Sequence, residues 1–367
     1  MKYIDGFRNT GTALQLQAAI SRLGAALAAA GRRANVMEVC GSHTMAIARF
    51  GIRDLLPSNI DLISGPGCPV CVTDAGYIDA AIELARKGAV VATFGDMISV
   101  PGSDASLAEC RAQGGAIEVC YSPTSALDLA AEDPGREIVF LAIGFESTIG
   151  PGISIVDTAI RNGIENLSIL TAFKLVPPAL RALMADPEIR IDAFLCPAHV
   201  SAVIGSDAYA PFAGPAGVPC VIAGFEPLDI LLGLQGILEQ LIHGTAVVEN
   251  QYSRVVKPRG NPRIQSLIAQ YLQPEDVRWR GLGLLPQSGM VLRAAYAHYD
   301  AAQRHGIDVQ PGRDNPGCLC GEVIKGKHRP SECPLFGRAC TPEHPVGPCM
   351  VSAEGSCAAS YKYSRAA

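Results

Sequence analysis

No run of lysine and arginine interrupts the 367-residue sequence, whose formal net charge is −5, so the electrostatic footprint of a nucleic-acid binder is missing. No uninterrupted apolar stretch approaches the roughly 18 residues that a bilayer-spanning helix needs. The apolar runs near Ala89 and Ile138 are short, glycine-terminated and strand-like. The opening residues, MKYIDGFRNTGTALQLQ, lack the apolar centre of a secretory signal. These absences set the expectation of a soluble, cytoplasmic protein with neither nucleic acid nor membrane as partner. Charged residues are also sparse, 18% against 49% hydrophobic, which leaves ample apolar surface for the cores of two or three domains.

Cysteine is not scarce: there are 13. Without an export signal, clustered thiols read as metal ligands or redox groups rather than as a disulfide framework. Cys40, Cys68 and Cys71 lie early, and Cys110, Cys120, Cys196 and Cys220 are scattered. Cys318, Cys320, Cys333, Cys340, Cys349 and Cys357 crowd the last fifty or so residues.

Residues 12–31 have the spacing of an amphipathic helix, with Leu14, Leu16, Ile20, Leu23 and Leu27 before Gly31. After it, short apolar runs alternate with helical patterns: NVMEVCG, DLISGPG, AVVATFGD, EIVFLAIGFEST, LSILTAF, IDAFLCPAHV and VPCVIAGFEP. Strands apolar on both faces, separated by helices, predict an α/β fold with covered parallel sheets. Helices are expected to begin near Ser42 and Thr73. VFLAIGFEST and CVIAGFEPLD echo one another, each running from a strand into Gly-Phe-Glu and a helix. Ligands in such folds gather beyond the carboxyl ends of strands, so Cys40, Cys68, Asp96, Glu146, His199 and Glu226 are candidate site positions. Phe145 and Phe225 read as packing residues. From about residue 250 the chain is rich in Pro, Gly and Cys, with one helix expected around Leu292–Arg304.

The tail cysteines are spaced Cys-x-Cys, then by gaps of twelve, six, eight and seven residues. A zinc ribbon uses two tight Cys-x-x-Cys knuckles, and this tail has none. Iron–sulfur clusters accept looser spacing around a larger inorganic core, so a 4Fe–4S cluster is favoured. The preferred ligands are Cys318, Cys333, Cys340 and Cys349, with Cys320 and Cys357 in reserve. EVCGSHT sets Cys40 and His43 at a strand end, as nucleophile and base or as two soft metal ligands. In GPGCPVCVT, Cys68 and Cys71 can close a small disulfide ring or present two thiolates to one metal.

EVCGSHT, SGPGCPVCVT, TFGDMISVPGS, GFEST, CPAHVSAVIG, IAGFEP and CPLFGRACTPEHPVGPCMVSAEGSCAA occur in this order, over essentially the whole chain. Together they resemble the HypD family of hydrogenase maturation factors; GFEST stands where Gly-Phe-Glu-Thr-Thr is expected. The resemblance implies two similar parallel-sheet (Rossmann-like) α/β domains plus a Cys-rich C-terminal iron–sulfur domain, expected over residues 1–120, 121–245 and 246–367. It implies a scaffold for the Fe(CN)2CO group of NiFe hydrogenases, monomeric when free, with a HypC-like small chaperone as partner and HypE as cyanide donor. Cys40, Cys68 and Cys71 become the iron-assembly and thiol-redox residues of a cleft, with His43 beside them. Asp96, Glu146, His199, Glu226 and Glu354 are further cleft candidates. The competing reading is a stand-alone dithiol/disulfide oxidoreductase of the ferredoxin–thioredoxin reductase type.

Overall fold

The amphipathic stretch near the N-terminus folds as the helix Thr10–Ala29 in the computed structural model, which describes residues 5–215 and 217–363. Asn9 caps it, its side chain accepting from the Thr12 N–H at 2.9 Å. Leu16, Ile20 and Leu27 are buried where it packs on the helix Pro227–His243.

The chain builds two sheets by crossing between them. Strands β1 (Ala34–Glu38) and β2 (Ile60–Ser64) begin the first. β3 (Val90–Phe94), β4 (Ile117–Cys120), β5 (Ile138–Gly144) and β6 (Leu167–Lys174) form most of the second. β7 (Ala193–Pro197), β8 (Cys220–Ala223) and β9 (Val248–Asn250) then return to the first. The first sheet has the order β2-β1-β7-β8-β9 and is wholly parallel. β5 is buried at all seven positions, as a strand covered on both faces must be.

The α/β expectation is met, with three differences. The Pro- and Gly-rich stretch after residue 250 holds more than the one helix expected there: the helix Pro262–Tyr271 is followed by β10 (Leu272–Trp279) and β11 (Gly283–Leu292), which form an antiparallel hairpin. The hairpin adds to β6, giving the order β10-β11-β6-β5-β3-β4. β10 is exposed at five of its eight positions, so its apolar signal is weak. Second, sheet membership cuts across the ranges 1–120, 121–245 and 246–367, because β1 pairs with β7 and the hairpin joins the sheet of β3–β6. Third, the helix expected around Leu292–Arg304 is replaced by the end of β11, a 3-10 segment Ala294–Tyr299 and a short helix Ala301–His305. Asp300 is extended and caps that helix through Gln303 N–H at 3.1 Å, which breaks the helical run.

One apolar core draws on both sheets and on the tail. It holds Met37, Phe194, Phe145 and Trp279 together with Cys68, Cys71, Cys320, Cys340, Cys349 and Cys357. The tail is pinned by its helix Ser356–Tyr363, which packs on the helix Gly41–Arg49. It is also pinned where the Gly312 N–H donates to Asp74 Oδ1 at 2.7 Å. Among the described residues no helix is long and apolar enough to cross a membrane.

Candidate functional site

Cys40 ends the segment after β1 and is the N-cap of the helix Gly41–Arg49. Backbone N–H groups of His43 and Ser42 face its sulfur, but burial dominates, aided by repulsion from Glu354, and lifts the thiol to about 12. Cys40 is therefore a neutral thiol near pH 7. The imidazole at its sulfur belongs to His199, whose Nε2 lies 3.5 Å away. His43 instead donates from Nε2 to the Gly224 carbonyl at 2.9 Å. Burial lowers His43 to about 4 and also lowers His199, so both rings are uncharged. Phe225 lies against both, with ring centroids at 4.9 Å from His43 and 5.0 Å from His199. The phenylalanine expected only to pack thus holds two imidazoles in place.

Cys68 and Cys71 are joined as a disulfide with Cα atoms 5.2 Å apart. They sit in a turn before the helix Ala75–Arg86, which begins two residues after the expected Thr73 because Asp74 caps it through the Gly76 N–H. Their loop is fastened to Cys40: the Gly41 N–H donates to the Gly67 carbonyl at 2.8 Å. A Cβ on Gly67 would lie 2.2 Å from the Cys40 nitrogen, so only glycine permits this approach. All three early cysteines are therefore held in one place by backbone contact.

The tail thiols converge next to them. Cys71 Sγ lies 3.9 Å from the Pro348 carbonyl, beside Cys349. Cys320 Sγ and Cys349 Sγ lie 2.8 Å apart, and Cys318 also hydrogen-bonds Cys320. Cys357 is pushed well above the ordinary thiol range by burial and by facing Cys320, Cys318, Cys340 and Cys333. All six tail cysteines except Cys318 are buried. Among the described residues no three His, Cys, Asp or Glu side chains are grouped to hold a single metal ion. A donor set of mutually facing thiols, spread more widely than one ion requires, fits an iron–sulfur core. Gly347 leaves room for it, since a Cβ there would lie 2.6 Å from Cys318 Sγ.

The remaining candidates divide. Asp96 and Glu354 come together through the tail: Ser352 Oγ donates to Asp96 Oδ2 at 3.1 Å, the Glu354 N–H donates to Ser352 Oγ at 3.3 Å, and Ser42 Oγ donates to Glu354 Oε1 at 2.6 Å. This chain links the end of β3 to the residue two beyond Cys40. Glu146 accepts from the Val176 N–H at 2.9 Å, and its other oxygen has no partner among the described residues. Burial raises its carboxyl to about 7. Glu226 turns away and pairs with Arg8, Nη2 to Oε1 at 2.9 Å, so the second Gly-Phe-Glu glutamate serves the N-terminal segment.

Two residues escaped the sequence reading. Glu38, fully buried, accepts from Thr44 Oγ1 at 2.7 Å, and burial raises it to about 7. A carboxylate inside an apolar strand was the available signal. Arg280, buried beside Cys349, carried no signal, because only the hairpin brings it there.

Comparison with known proteins bears on this arrangement. The sequence model of the HypD family, described as "Hydrogenase formation hypA family", matches residues 14–364. The chain is 48% identical to a hydrogenase maturation factor HypD of Azotobacter vinelandii, over 100% of this chain and 97% of the relative. It is 44% identical to that of Cupriavidus necator, over 100% and 98%. It is 42% identical to that of Escherichia coli (strain K12), over 99% and 98%.

Proposed function

Because the chain belongs to the HypD family, whose relatives are hydrogenase maturation factors, we propose that it serves hydrogenase maturation as a scaffold for the Fe(CN)2CO group of a NiFe hydrogenase. The iron is cargo, and Cys40, Cys68 and Cys71 are the thiolates offered to it. A low-spin ferrous centre carrying cyanide and carbonyl is soft and suits thiolate ligands. The observation that carries this reading is the Gly41–Gly67 contact at 2.8 Å, which holds a third thiol beside the disulfide-bonded pair.

The residues supply the chemistry as follows. Opening the Cys68–Cys71 disulfide takes two electrons and two protons and yields two thiols. Cys40 keeps its proton at neutral pH, and His199, uncharged and 3.5 Å away, is placed to accept it as iron binds. Phe225 packs against that imidazole, with ring centroids 5.0 Å apart. Asp96, Ser352 and Glu354 tie the tail to this corner. A resident 4Fe–4S cluster supplies electrons one at a time when bound. Spacing alone favours Cys349 as a ligand of it. The 2.8 Å Cys320–Cys349 contact supports a different division: Cys320 and Cys349 as a thiol pair, which leaves Cys318, Cys333, Cys340 and Cys357 as ligands.

In this reading the protein works in the cytoplasm with a HypC-like chaperone and receives cyanide from HypE. The second reading, a dithiol/disulfide reductase acting on a protein, draws support from the succession of sulfurs from Cys320 to Cys68. It gives no task to Cys40. Infrared spectroscopy of the anaerobically purified protein with its small partner separates the two. Cyanide and carbonyl bands with iron beyond the cluster are expected; their absence with an intact cluster favours the reductase.

A further inference from the structure

The first sheet ends on one side in a strand with no neighbour beyond it: β2 is outermost in the order β2-β1-β7-β8-β9. In a parallel ladder the N–H and C=O of one residue point to the same side, and alternate residues point to opposite sides. The Ala34 N–H donates to the Asn59 carbonyl at 2.9 Å and the Gly65 N–H to the Glu38 carbonyl at 2.8 Å, so Asn59, Asp61, Ile63 and Gly65 face β1. Ile60, Leu62 and Ser64 therefore turn their backbone groups outward. The Ile60 N–H is used by the Pro57 carbonyl at 2.9 Å. The Ile60 carbonyl and the N–H groups of Leu62 and Ser64 have no partner among the described residues. A cavity of about 720 Å3 runs along this edge, lined by all five residues of β2, with the tail segment 326–332 and the helix Ser356–Tyr363 among its walls. A free edge beside open space is a template for strand addition.

Charge decides what the edge admits. Arg33 and Arg53 line the cavity, and both bind only neutral oxygens. Arg33 Nη2 donates to the Ser58 carbonyl at 3.0 Å; Arg53 donates to the Leu62 carbonyl through Nη1 and to Ser64 Oγ through Nη2 at 3.4 Å. Glu38 and Asp61 attract Arg53 without pairing with it. Of the carboxylates in the lining, Asp61 pairs with Arg329 at 2.9 Å and Glu332 meets His328 Nδ1 at 3.1 Å, while Asp54 pairs with neither guanidinium. Two cations thus stand without an anion beside a free edge, in a chain of net charge −5. We propose that the edge of β2 docks an acidic, extended segment of a partner protein, which adds as a sixth strand and brings its carboxylates to Arg33 and Arg53. Arg53 lies across the edge at the Leu62 carbonyl, so a neutral strand meets a guanidinium in its path, as charged side chains on free edges prevent indiscriminate pairing. A carboxylate draws the guanidinium aside into a charge-assisted pair and frees the carbonyl for the ladder. Acidity is the condition for pairing, and backbone hydrogen bonds hold what it admits. Ser64 leads into Gly65 and the Cys68–Cys71 turn, and Thr44 lines both this cavity and the small space that holds Cys68 and Cys71. A partner docked here lies beside the early thiols.

The test uses the full-length protein, purified anaerobically, and fluorescence anisotropy with two labelled probes: the peptide Glu-Val-Glu-Thr-Glu-Val and its analogue with glutamine for each glutamate. The acidic peptide is expected to saturate with an affinity about tenfold or more above that of the analogue, and that ratio to fall about tenfold in Arg33→Gln and in Arg53→Gln, the scale of one charge-assisted hydrogen bond. Arg33 is exposed, so Arg33→Gln covers the case in which Arg53→Gln does not fold. N-methylating alternate amides of the acidic peptide gives two further probes. A strand pairs through one edge, so one set of methyl groups is expected to abolish binding and the other to spare it. Equal affinity for the acidic and neutral peptides, a ratio unchanged in both variants, or any other response to N-methylation overturns the inference. Displacement by tripolyphosphate at matched ionic strength, as readily as by unlabelled peptide, overturns it in favour of a small-anion site. A dimer that the peptide dissociates overturns it in favour of a second copy of the chain.

Discussion

Cys40 and Glu146 show how differently burial acts on two side chains that both lie past strand ends. Burial holds Cys40 protonated, so iron capture there releases a proton and should tighten as pH rises. Cys40→Ala is expected to abolish maturation while leaving cluster iron and visible absorption at wild-type levels; matched iron analysis and hydrogenase assays check this. Glu146 carries its carboxyl at about 7 rather than 4.5. The folded state thus holds this proton to higher pH than the unfolded state does. The resulting stability is full below pH 4.5 and is lost as pH rises through 7. Glu146→Gln should therefore be more stable than wild type at pH 8, by up to about 3 kcal/mol, with the gap closing by pH 4.5. Thermal unfolding at the two pH values measures it. Both residues were legible in the sequence, as polar groups ending apolar runs. The partnership of Cys40 with His199 was not, because 159 positions separate them and His43 lies so much nearer along the chain.

The two loops that hold the early thiols depend on glycine more than on side chains. Gly67→Ala would drive a methyl group into the Cys40 backbone and part the Cys68–Cys71 turn from Cys40. A loss of about 1–3 kcal/mol is expected from such overpacking, read by denaturant unfolding. Co-purified iron beyond the cluster should fall with it, while cluster absorption remains. Element by element, the strands of the two sheets were readable wherever both faces are apolar, as in β5 and β7. The hairpin β10–β11 was hidden because proline, glycine and exposed polar residues fill it. The broken helix near Asp300 was hidden for a related reason: its apolar residues keep helical spacing, and one extended capping residue interrupts it.

At the scale of the whole molecule, the tail, the hairpin and both sheets meet around sulfur. Cys357→Ser is expected to bleach the anaerobic protein, and Cys320→Ser to leave its absorption intact while abolishing maturation. The reverse result would return Cys320 to the ligand set. That six tail cysteines belong together was plain from their crowding. Which of them touch was not, since the Cys320–Cys349 contact depends on where the helices Cys320–Ile324 and Pro348–Val351 lie. The order of strands was the least legible feature, because nothing in an apolar run names its neighbour.

That strand order has a price in time. β1 cannot close its ladder until β7 exists, for Val36 pairs with Ala193, 157 residues later (193 − 36). A ribosome adding about 5–20 residues per second leaves the β1–β2 pair waiting on the order of 10–30 seconds, with the β1 edge bare and apolar. The second sheet waits in turn for the hairpin. Neither sheet is a fragment that a truncated chain could supply, and a nascent chain halted before β7 is expected to bind trigger-type chaperones or aggregate. Arrested chains ending at residue 185 and at residue 300, compared by protease resistance, would show protection only in the longer one.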